Sequence, residues 1–220
     1  MIKRFTSKLI EKTYLTEDVI KLVFEKPKDF NFKAGQYLNI EVEKEGIRKL
    51  KAYSILSPPK KDILEFCIKI VEGGMGSNVL ADSKEGENFN MMGPLGHLGF
   101  DEKGKKHIFI CAGTGITPFY SIIKEYFDDT KSFTLVAGYR YKKNILFHEE
   151  LIELEDKNDL FTYITCLSKD SWHNEGRVQK FIPIDKEATY YICGLKELVL
   201  ETKEFLTQKG IDKIFIERYS

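Results

Sequence analysis

The chain has 220 residues, with 34 lysines and arginines against 34 aspartates and glutamates, and 42% of its residues are hydrophobic. A balanced charge does not favour binding to nucleic acid or another polyanion, and the length allows one large or two small globular domains. The N-terminal residues alternate between polar and apolar types, which argues against a secretory signal, and no apolar run is long enough to span a bilayer. We therefore expect a cytoplasmic protein without membrane insertion.

The cysteines and histidines are too dispersed to indicate a metal site. No C-x-x-C pair occurs among the four cysteines, which are Cys67, Cys111, Cys166 and Cys193. Their spacing fits neither a zinc ribbon nor a plant-type iron–sulfur loop. The four histidines are equally scattered, at His97, His107, His148 and His173. We expect reduced thiols and no bound metal.

The first half of the chain has the rhythm of an antiparallel sheet. Period-2 segments (VIKLVFEK, GQYLNIEVE, RKLKAYSI and DILEFCIKIV) are separated by turn sequences such as KEG and SPPKKD. One short segment, MGSNVLAD, has the composition of a helix. This half predicts an antiparallel β-barrel over residues 1–100.

In the second half, apolar strand-like runs alternate with amphipathic helical ones. The segments, in order, are HIFICA, FYSIIKEYFDD, FTLVAGY, HEELIELEDK, FTYITCL, RVQKFI, TYYICG, LKELVLETKEFLTQ and IFIERY. Such alternation is typical of an α/β domain with a parallel sheet. We place this domain at residues 101–220.

The segment CAGTGITP, residues 111–118, joins the first strand of the predicted α/β domain to its first helix. Such a turn is where these folds bind a phosphate on a helix N-terminus, and glycines allow a pyrophosphate to approach the amide groups. Proline occupies the third glycine position of the G-x-G-x-x-G pattern, so a glycine turn without a ligand remains an alternative. The candidate binding residues are Gly113, Thr114, Gly115, Thr117 and Pro118.

Five further motifs distinguish these alternatives. They are KAYS (51–54), GGMGS (73–77), MGPLG (92–96), YICG (191–194) and the terminal ERYS (217–220). In order and spacing, together with CAGTGITP, they resemble the ferredoxin–NADP reductase superfamily over nearly the whole chain. The resemblance implies an FAD-binding barrel followed by an NAD(P)-binding α/β domain.

The resemblance assigns the flavin to the first half. KAYS stands where the family has Arg-x-Tyr-Ser, so Lys51 would meet the flavin phosphate, Tyr53 would pack on the flavin or its ribityl chain, and Ser54 would lie near flavin N5. Lysine keeps the charge of the usual arginine but lacks its bidentate geometry. The implied FAD-binding residues are Lys51, Ala52, Tyr53, Ser54, Gly74, Gly76 and Ser77.

The resemblance assigns the nicotinamide to the second half. Cys193 and Gly194 match the family's Cys-Gly pair, whose sulfur lies near the carbon that gives up hydride, although Leu195 replaces the usual proline. Glu217 and Tyr219 match the family's C-terminal acid and the aromatic residue that covers the flavin ring. The residues implied in catalysis are Ser54, Cys193, Glu217 and Tyr219.

Basic residues follow the second and third strands of the α/β domain. An acidic residue that would hold an NAD ribose is expected after the second strand, but the sequence there, around Arg140, is basic. Ser168, Lys169 and Arg177 follow the third strand, at positions similar to those that hold the 2′-phosphate in NADP-using relatives. The sequence therefore favours NADPH and leaves NADH open.

The resemblance implies a flavin-dependent oxidoreductase that takes hydride from NAD(P)H and passes electrons singly to a ferredoxin, a flavodoxin or a similar carrier. A flavin suits this task because it exchanges electrons both in pairs and singly. Two alternatives stay open: a reductase of free flavins or other diffusible acceptors, and an electron-transfer subunit of a larger complex. The sequence does not indicate the oligomeric state.

Overall fold

A computed structural model describes residues 1–128 and 130–219 of the protein. The chain forms two compact units. The first comprises Met1–Gly99 together with Thr117–Glu125, and the second comprises Phe100–Ile116 together with the chain from Tyr126 onward. Asp129, at the end of a predicted helix, and Ser220, in the ERYS motif, lie outside the described residues.

The first unit contains an antiparallel sheet of six strands in the order β4-β3-β6-β1-β2-β5. An isolated bridge between Ile55 and Phe66 brings the β4 and β5 edges together, which gives the sheet the form of a barrel. The strands are β1 (Lys3–Thr16), β2 (Val19–Glu25), β3 (Tyr37–Lys44), β4 (Ile47–Ser54), β5 (Ile63–Lys69) and β6 (Asn88–Leu95), and helix α1 spans Met75–Asp82.

Strand β1 is long enough to pair with two neighbouring strands. Its first half pairs with β6 and its second half with β2, with irregularities in register after Leu9 and after Tyr14. Such irregularities bend a strand, and bending is what closes a barrel. Lys12 in this strand donates from Nζ to the carbonyl oxygens of Ala81 (2.6 Å) and Ser83 (2.5 Å), so it satisfies the C-terminal carbonyls of α1.

The core of the first unit is built on the alternation that the sequence shows. In β2 the buried Ile20, Leu22 and Phe24 face inward. Phe24 makes edge-to-face contacts with Phe66 and Phe89, at centroid distances of 5.8 and 5.7 Å. Strands with one face buried and one exposed are typical of antiparallel barrels, which confirms the predicted fold class for this half.

The second unit contains a parallel sheet of five strands in the order β11-β10-β7-β8-β9. The strands are β7 (Lys106–Ala112), β8 (Ser132–Tyr139), β9 (Phe161–Leu167), β10 (Thr189–Leu195) and β11 (Ile214–Tyr219), and helices α2 (Thr117–Tyr126), α3 (His148–Lys157) and α4 (Lys196–Gln208) connect them. From β7 the chain continues to β8 on one side, while β10 pairs on the other side. The carboxyl ends of β7 and β10 therefore form the topological switch point where such sheets bind ligands.

The α/β prediction is confirmed, with three local differences. Residues 177–182 (RVQKFI), placed in the helical alternation, form only a short 3-10 turn at Val178–Lys180. Helix α2 begins at Thr117, two residues earlier than predicted, after a 3-10 turn at Gly113–Ile116. Residues 117–125 of α2 group with the first unit, although the sequence pattern placed the helix in the second half.

The sheet of the second unit is covered on one face by an apolar cluster that includes Ile110, Ile192 and Val199. All four cysteines are free and buried. Within residues 1–128 and 130–219, no helix combines the length and apolar character needed to cross a membrane.

Candidate functional site

The first turn of helix α1 packs directly on strand β4. A Cβ atom at Gly76 would lie 2.6 Å from Lys51 Cγ and 2.7 Å from Tyr53 Oη, so only glycine fits here. Burial raises the pKa of Tyr53 to about 12, so its hydroxyl remains a hydrogen-bond donor well into the alkaline range. The structure thus brings the KAYS and GGMGS motifs together, as the family resemblance implies for a shared flavin site.

Ser77 holds the turn that precedes α1. Its Oγ accepts a hydrogen bond from the Val71 amide (3.0 Å) and donates to the Gly74 carbonyl (3.3 Å). The Asn78 amide makes the first helical bond, to Gly74 (3.1 Å). The amide groups of residues 75–77 therefore lie outside the intrahelical ladder, where a helix terminus binds an anion.

Ala52 and Ser54 complete the KAYS strand end. Ala52 is exposed and lies opposite Asn39, whereas Ser54 is buried and lies opposite Tyr37. An ammonium group, a phenol and the amides of a helix terminus are all hydrogen-bond donors. That donor set fits the pyrophosphate of FAD, which offers only acceptors.

The two glycines of CAGTGITP serve different purposes. Gly113 has φ +54 and open space beside its Cα, so it allows a close approach to the backbone. A Cβ at Gly115 would lie 2.5 Å from the Cys193 carbonyl oxygen. Gly115 therefore allows the turn to pack against the end of β10. The sequence had suggested another reason for this glycine, namely room for a pyrophosphate.

Thr117 and Pro118 begin helix α2, and both are buried. The Thr117 hydroxyl hydrogen-bonds the thiol of Cys67 in β5, within the first unit. Proline suits the first turn of a helix, where an amide would have no intrahelical partner. The third Rossmann glycine is thus replaced by a residue that starts this helix.

Cys193 lies at the carboxyl end of β10, between Cys111 of β7 and Glu217 of β11 in the parallel register. The side chain is fully buried. Burial raises the pKa of its thiol well above 9.0, and the Glu217 carboxylate raises it further. Cys193 is therefore a neutral thiol suited to contact a ring, not a thiolate nucleophile.

Tyr219 closes this end of the sheet. Its side chain hydrogen-bonds the Cys193 thiol, and its hydroxyl donates to the Thr114 carbonyl oxygen at 3.3 Å. Cys193, Glu217, Tyr219 and Thr114, which lie far apart in sequence, therefore meet at the switch point between β7 and β10.

Gly194 and Leu195 make the turn from β10 into α4. Gly194 has φ +150, and a Cβ there would lie 2.8 Å from Leu198 Cδ2, so the position requires glycine. Leu195 is the N-cap of α4 with φ −63, the value that proline imposes. The leucine thus adopts the backbone conformation of the proline that is usual in the family.

The basic residues after β8 and β9 form a second cluster. The Lys169 amide donates to the Arg140 carbonyl (2.9 Å) and the Ser168 amide to the Tyr139 carbonyl (3.0 Å), so these segments are adjacent. Arg140, Ser168 and Lys169 are exposed. Arg177, also exposed, pairs with Glu201 of α4 at 3.1 Å.

Comparison with protein families identifies both halves of this arrangement. The oxidoreductase FAD-binding domain family matches residues 6–100, and the oxidoreductase NAD-binding domain family matches residues 109–204. The chain belongs to the ferredoxin–NADP reductase superfamily. It is an NAD(P)H-dependent flavoprotein reductase with FAD as its flavin.

Relatives of this reductase include ferredoxin–NADP reductases and components of oxygenases. A ferredoxin–NADP reductase of Sorangium cellulosum is 28% identical, over 98% of this chain and 97% of the relative. A glycine betaine monooxygenase reductase subunit of Pseudomonas aeruginosa is 30% identical, over 93% of this chain but only 60% of the subunit. The chain therefore spans about three fifths of the oxygenase component.

Solved structures share the fold of this reductase. A ferredoxin–NADP reductase of Neisseria gonorrhoeae, solved with bound FAD and NADP, has a TM-score of 0.89 at 21% identity over 98% of both chains. A cytochrome P450 reductase of Amycolatopsis has a TM-score of 0.90 at 19% identity, over 99% of this chain and 70% of the other.

Two contacts of this reductase were absent from the sequence prediction. Cys111 was assigned no role beyond its place in CAGTGITP, yet it is the direct neighbour of Cys193 across β7 and β10. The Thr114 carbonyl, which accepts from Tyr219, is a backbone group and leaves no sequence signal. The strand order of the sheet was needed to find both.

Proposed function

We propose that this reductase oxidises NADPH and passes the electrons one at a time to a small carrier, a ferredoxin or a flavodoxin. The observation that carries the proposal is the meeting of Cys193, Glu217 and Tyr219 at the switch point of the second unit. A neutral buried thiol, an acid and an aromatic ring suit the binding and orientation of a nicotinamide ring. FAD supplies the chemistry that converts a hydride into single electrons.

In the first unit, the chain's own residues hold and orient the flavin. Lys51 and the first amides of α1 neutralise the pyrophosphate, and Tyr53 supplies a ring surface and a donor hydroxyl. Gly76 lets α1 pack on Lys51 and Tyr53, and Gly74 lets the preceding turn pack on Val71 and Ser77. Ala52 is exposed and leaves room for the cofactor. Ser77 stabilises the turn before α1 through its hydrogen bonds to Val71 and Gly74. We assign Ser54, at the end of β4, to the neighbourhood of flavin N5.

In the second unit, Gly113 and Thr114 present the turn after β7 to the coenzyme pyrophosphate, and Gly115 seats that turn on β10. Thr117 and Pro118, the other candidates of this motif, begin helix α2, whose residues 117–125 group with the first unit. Gly194 lets the backbone turn away behind Cys193. Orientation of the reacting ring by these groups, not covalent catalysis, is the protein's contribution.

Selection of NADPH is assigned to Arg140, Ser168, Lys169 and Arg177. Charged and hydroxyl donors suit a 2′-phosphate, whereas an NAD ribose requires an acceptor. Arg140, Lys169 and Arg177 are exposed, so they are accessible to a coenzyme phosphate.

The carrier is proposed from the relatives and from the chemistry. The Sorangium relative, matched over 97% of its length, is a ferredoxin–NADP reductase. A second candidate is the reductase component of an oxygenase system, which the 30% identity to the monooxygenase subunit favours. In both cases the acceptor takes single electrons from a protein-bound flavin.

The test is rapid-mixing oxidation of the enzyme after reduction with NADPH in the absence of oxygen. A panel of ferredoxins, a flavodoxin, an oxygenase iron–sulfur component and free FMN is supplied in separate experiments. We expect a protein carrier to reoxidise the enzyme at least tenfold faster than free FMN, because docking replaces random collision. Fastest oxidation by free FMN would instead assign the protein to the free-flavin reductases.

A further inference from the structure

Two loops meet beside the basic cluster of the second unit. The first, residues 140–144, follows β8, and the second, residues 168–177, follows β9. Backbone hydrogen bonds join their beginnings, from Ser168 to Tyr139 and from Lys169 to Arg140. The second loop is also anchored at its base, because the Leu167 amide donates to Asn174 (3.0 Å) and the Gly176 amide donates to Leu167 (2.8 Å).

A carboxylate provides a further connection between the loops. Asp170 Oδ2 accepts a hydrogen bond from the Lys142 backbone amide at 2.7 Å, across 28 residues of sequence. Lys142 is tied to the same loop a second time, because its Nζ lies 5.4 Å from the centre of the Trp172 ring. Hydrogen bonds between an ionised carboxylate and a backbone amide are among the stronger ones in proteins.

The position of Asp170 is otherwise unexpected in a site for a phosphate. An acid that follows Lys169 directly would repel a 2′-phosphate by its charge. The acid that binds the ribose hydroxyls of NAD in a dinucleotide fold is expected after the second strand, whereas Asp170 follows the third. Here one carboxylate oxygen is directed to the neighbouring loop. Its geometry is that of a connection between the loops.

We infer that Asp170 is a positioning residue that fixes the 140–144 loop against the 168–177 loop, so that Arg140 and Lys169 are held ready for the coenzyme 2′-phosphate. The inference rests on the proposed NADPH site and adds how that site is kept in shape. Cations that are already in position lose less side-chain and loop entropy when the phosphate binds. Asp170 thus supports phosphate binding through the backbone although its own charge opposes it.

Three variants separate this role from the alternatives. Asp170→Asn removes the charge and keeps an oxygen that accepts from Lys142, whereas Asp170→Ala removes both. Glu175→Ala is the matched control, because Glu175 is an exposed acid in the same loop whose side chain bonds only locally, to Ser171 at 2.9 Å. Calorimetry would compare adenosine 2′,5′-bisphosphate with adenosine 5′-monophosphate, which lacks only the 2′-phosphate.

The positioning role predicts that Asp170→Ala weakens binding of the bisphosphate roughly tenfold, as expected for loss of one charge-assisted hydrogen bond. Binding of the monophosphate should change less than about twofold, and Asp170→Asn should retain or improve bisphosphate binding. Fluorescence of Trp172, the single tryptophan, should change in Asp170→Ala and not in Asp170→Asn, which gives a readout without activity.

Two results would overturn the inference alone. If both Asp170 variants tighten binding of the bisphosphate as much as Glu175→Ala does, Asp170 acts only through its charge. If both Asp170 variants weaken binding of the monophosphate, Asp170 binds the ribose hydroxyls. Equal affinity of the wild-type chain for the two nucleotides, or no binding of either, would instead overturn the proposed NADPH site on which the inference rests.

Discussion

The hydroxyl of Tyr219 donates a hydrogen bond to the carbonyl oxygen of Thr114, which joins the last described residue of β11 to the turn after β7. The same side chain hydrogen-bonds the Cys193 thiol. In the nicotinamide site proposed above, the Tyr219 ring would compete with the coenzyme for contact with Cys193 and would have to move before hydride transfer.

Removal of the Tyr219 ring should strengthen coenzyme binding. We expect Tyr219→Ser to tighten NADP⁺ binding roughly tenfold and to slow turnover, because product then leaves slowly. Tyr219→Phe, which keeps the ring but removes the hydroxyl that bonds Thr114 and Cys193, should have a smaller effect. Titration of the flavin spectrum with NADP⁺ measures both. A lower melting temperature with unaltered NADP⁺ affinity would show that Tyr219 only anchors β11.

Replacement of Cys193 should slow hydride transfer more than it weakens coenzyme binding. The small thiol supports the ring without filling its space, so alanine leaves the reacting carbon poorly oriented. Single-turnover flavin reduction at saturating NADPH isolates this step. Cys111→Ala is the matched control, because Cys111 is an equally buried neighbour that should affect only stability, by about 1 kcal/mol. Equal reduction rates in both variants and the wild type would make Cys193 a packing residue.

A methyl group at Gly76 should disturb flavin binding. Gly76→Ala places a Cβ within 3 Å of both Lys51 and Tyr53, so α1 must move away from β4. We expect FAD to bind at least tenfold more weakly and the protein to lose about 1–3 kcal/mol of stability. FAD release measured by fluorescence tests this. The control is Gly99→Ala, since a Cβ at Gly99 meets nothing closer than 4.0 Å and should leave flavin retention unchanged.

The bound flavin should be FAD and not FMN. The first amides of α1 are available to a pyrophosphate, a group that FMN lacks. Heat release followed by chromatography identifies the flavin. Recovery of FMN alone would contradict the role assigned to GGMGS.

Coenzyme preference should depend on Lys169 and Arg177. Lys169→Ala should weaken NADPH binding roughly tenfold and leave NADH binding nearly unchanged, because only NADPH carries the additional phosphate. Arg177→Ala should also weaken NADPH binding, but by a smaller factor, because Arg177 already pairs with Glu201. Lys180→Ala, an exposed lysine in the following turn, serves as the control. Equal losses for both coenzymes would argue against a 2′-phosphate site.

Acid should destabilise the second unit through His107. Its Nδ1 lies 3.3 Å from Tyr191 Oη and its Nε2 3.0 Å from the Gly104 carbonyl oxygen. Burial lowers the pKa of His107 below 6.5, so the unfolded chain binds the proton more readily. Stability should therefore be full above pH 6.5 and fall as the pH decreases below that value. Melting curves of wild type and His107→Gln between pH 5 and about 8 test this; the variant should lack this part of the pH dependence, and parallel curves would contradict the assignment.

The chain's local pattern was sufficient to predict its two-part architecture. Period-2 alternation and strand–helix alternation depend on residues a few positions apart, so α1 and α3 occupy the residues that the sequence indicates, at Met75–Asp82 and His148–Lys157. The motifs proposed to bind flavin and nicotinamide are likewise short runs, which the sequence indicates through their resemblance to a known family. The same reasoning misjudged residues 177–182, because a short amphipathic run does not determine whether a turn or a helix forms.

The contacts that give these motifs their arrangement required the tertiary structure. Gly115 must be glycine because of the Cys193 carbonyl, and Gly76 because of Lys51 and Tyr53. Asp170 reaches Lys142 because β8 and β9 end side by side. Each pair is distant in sequence and becomes adjacent only through strand order and register. These are set by packing of the whole core, so no local pattern in the sequence specifies them.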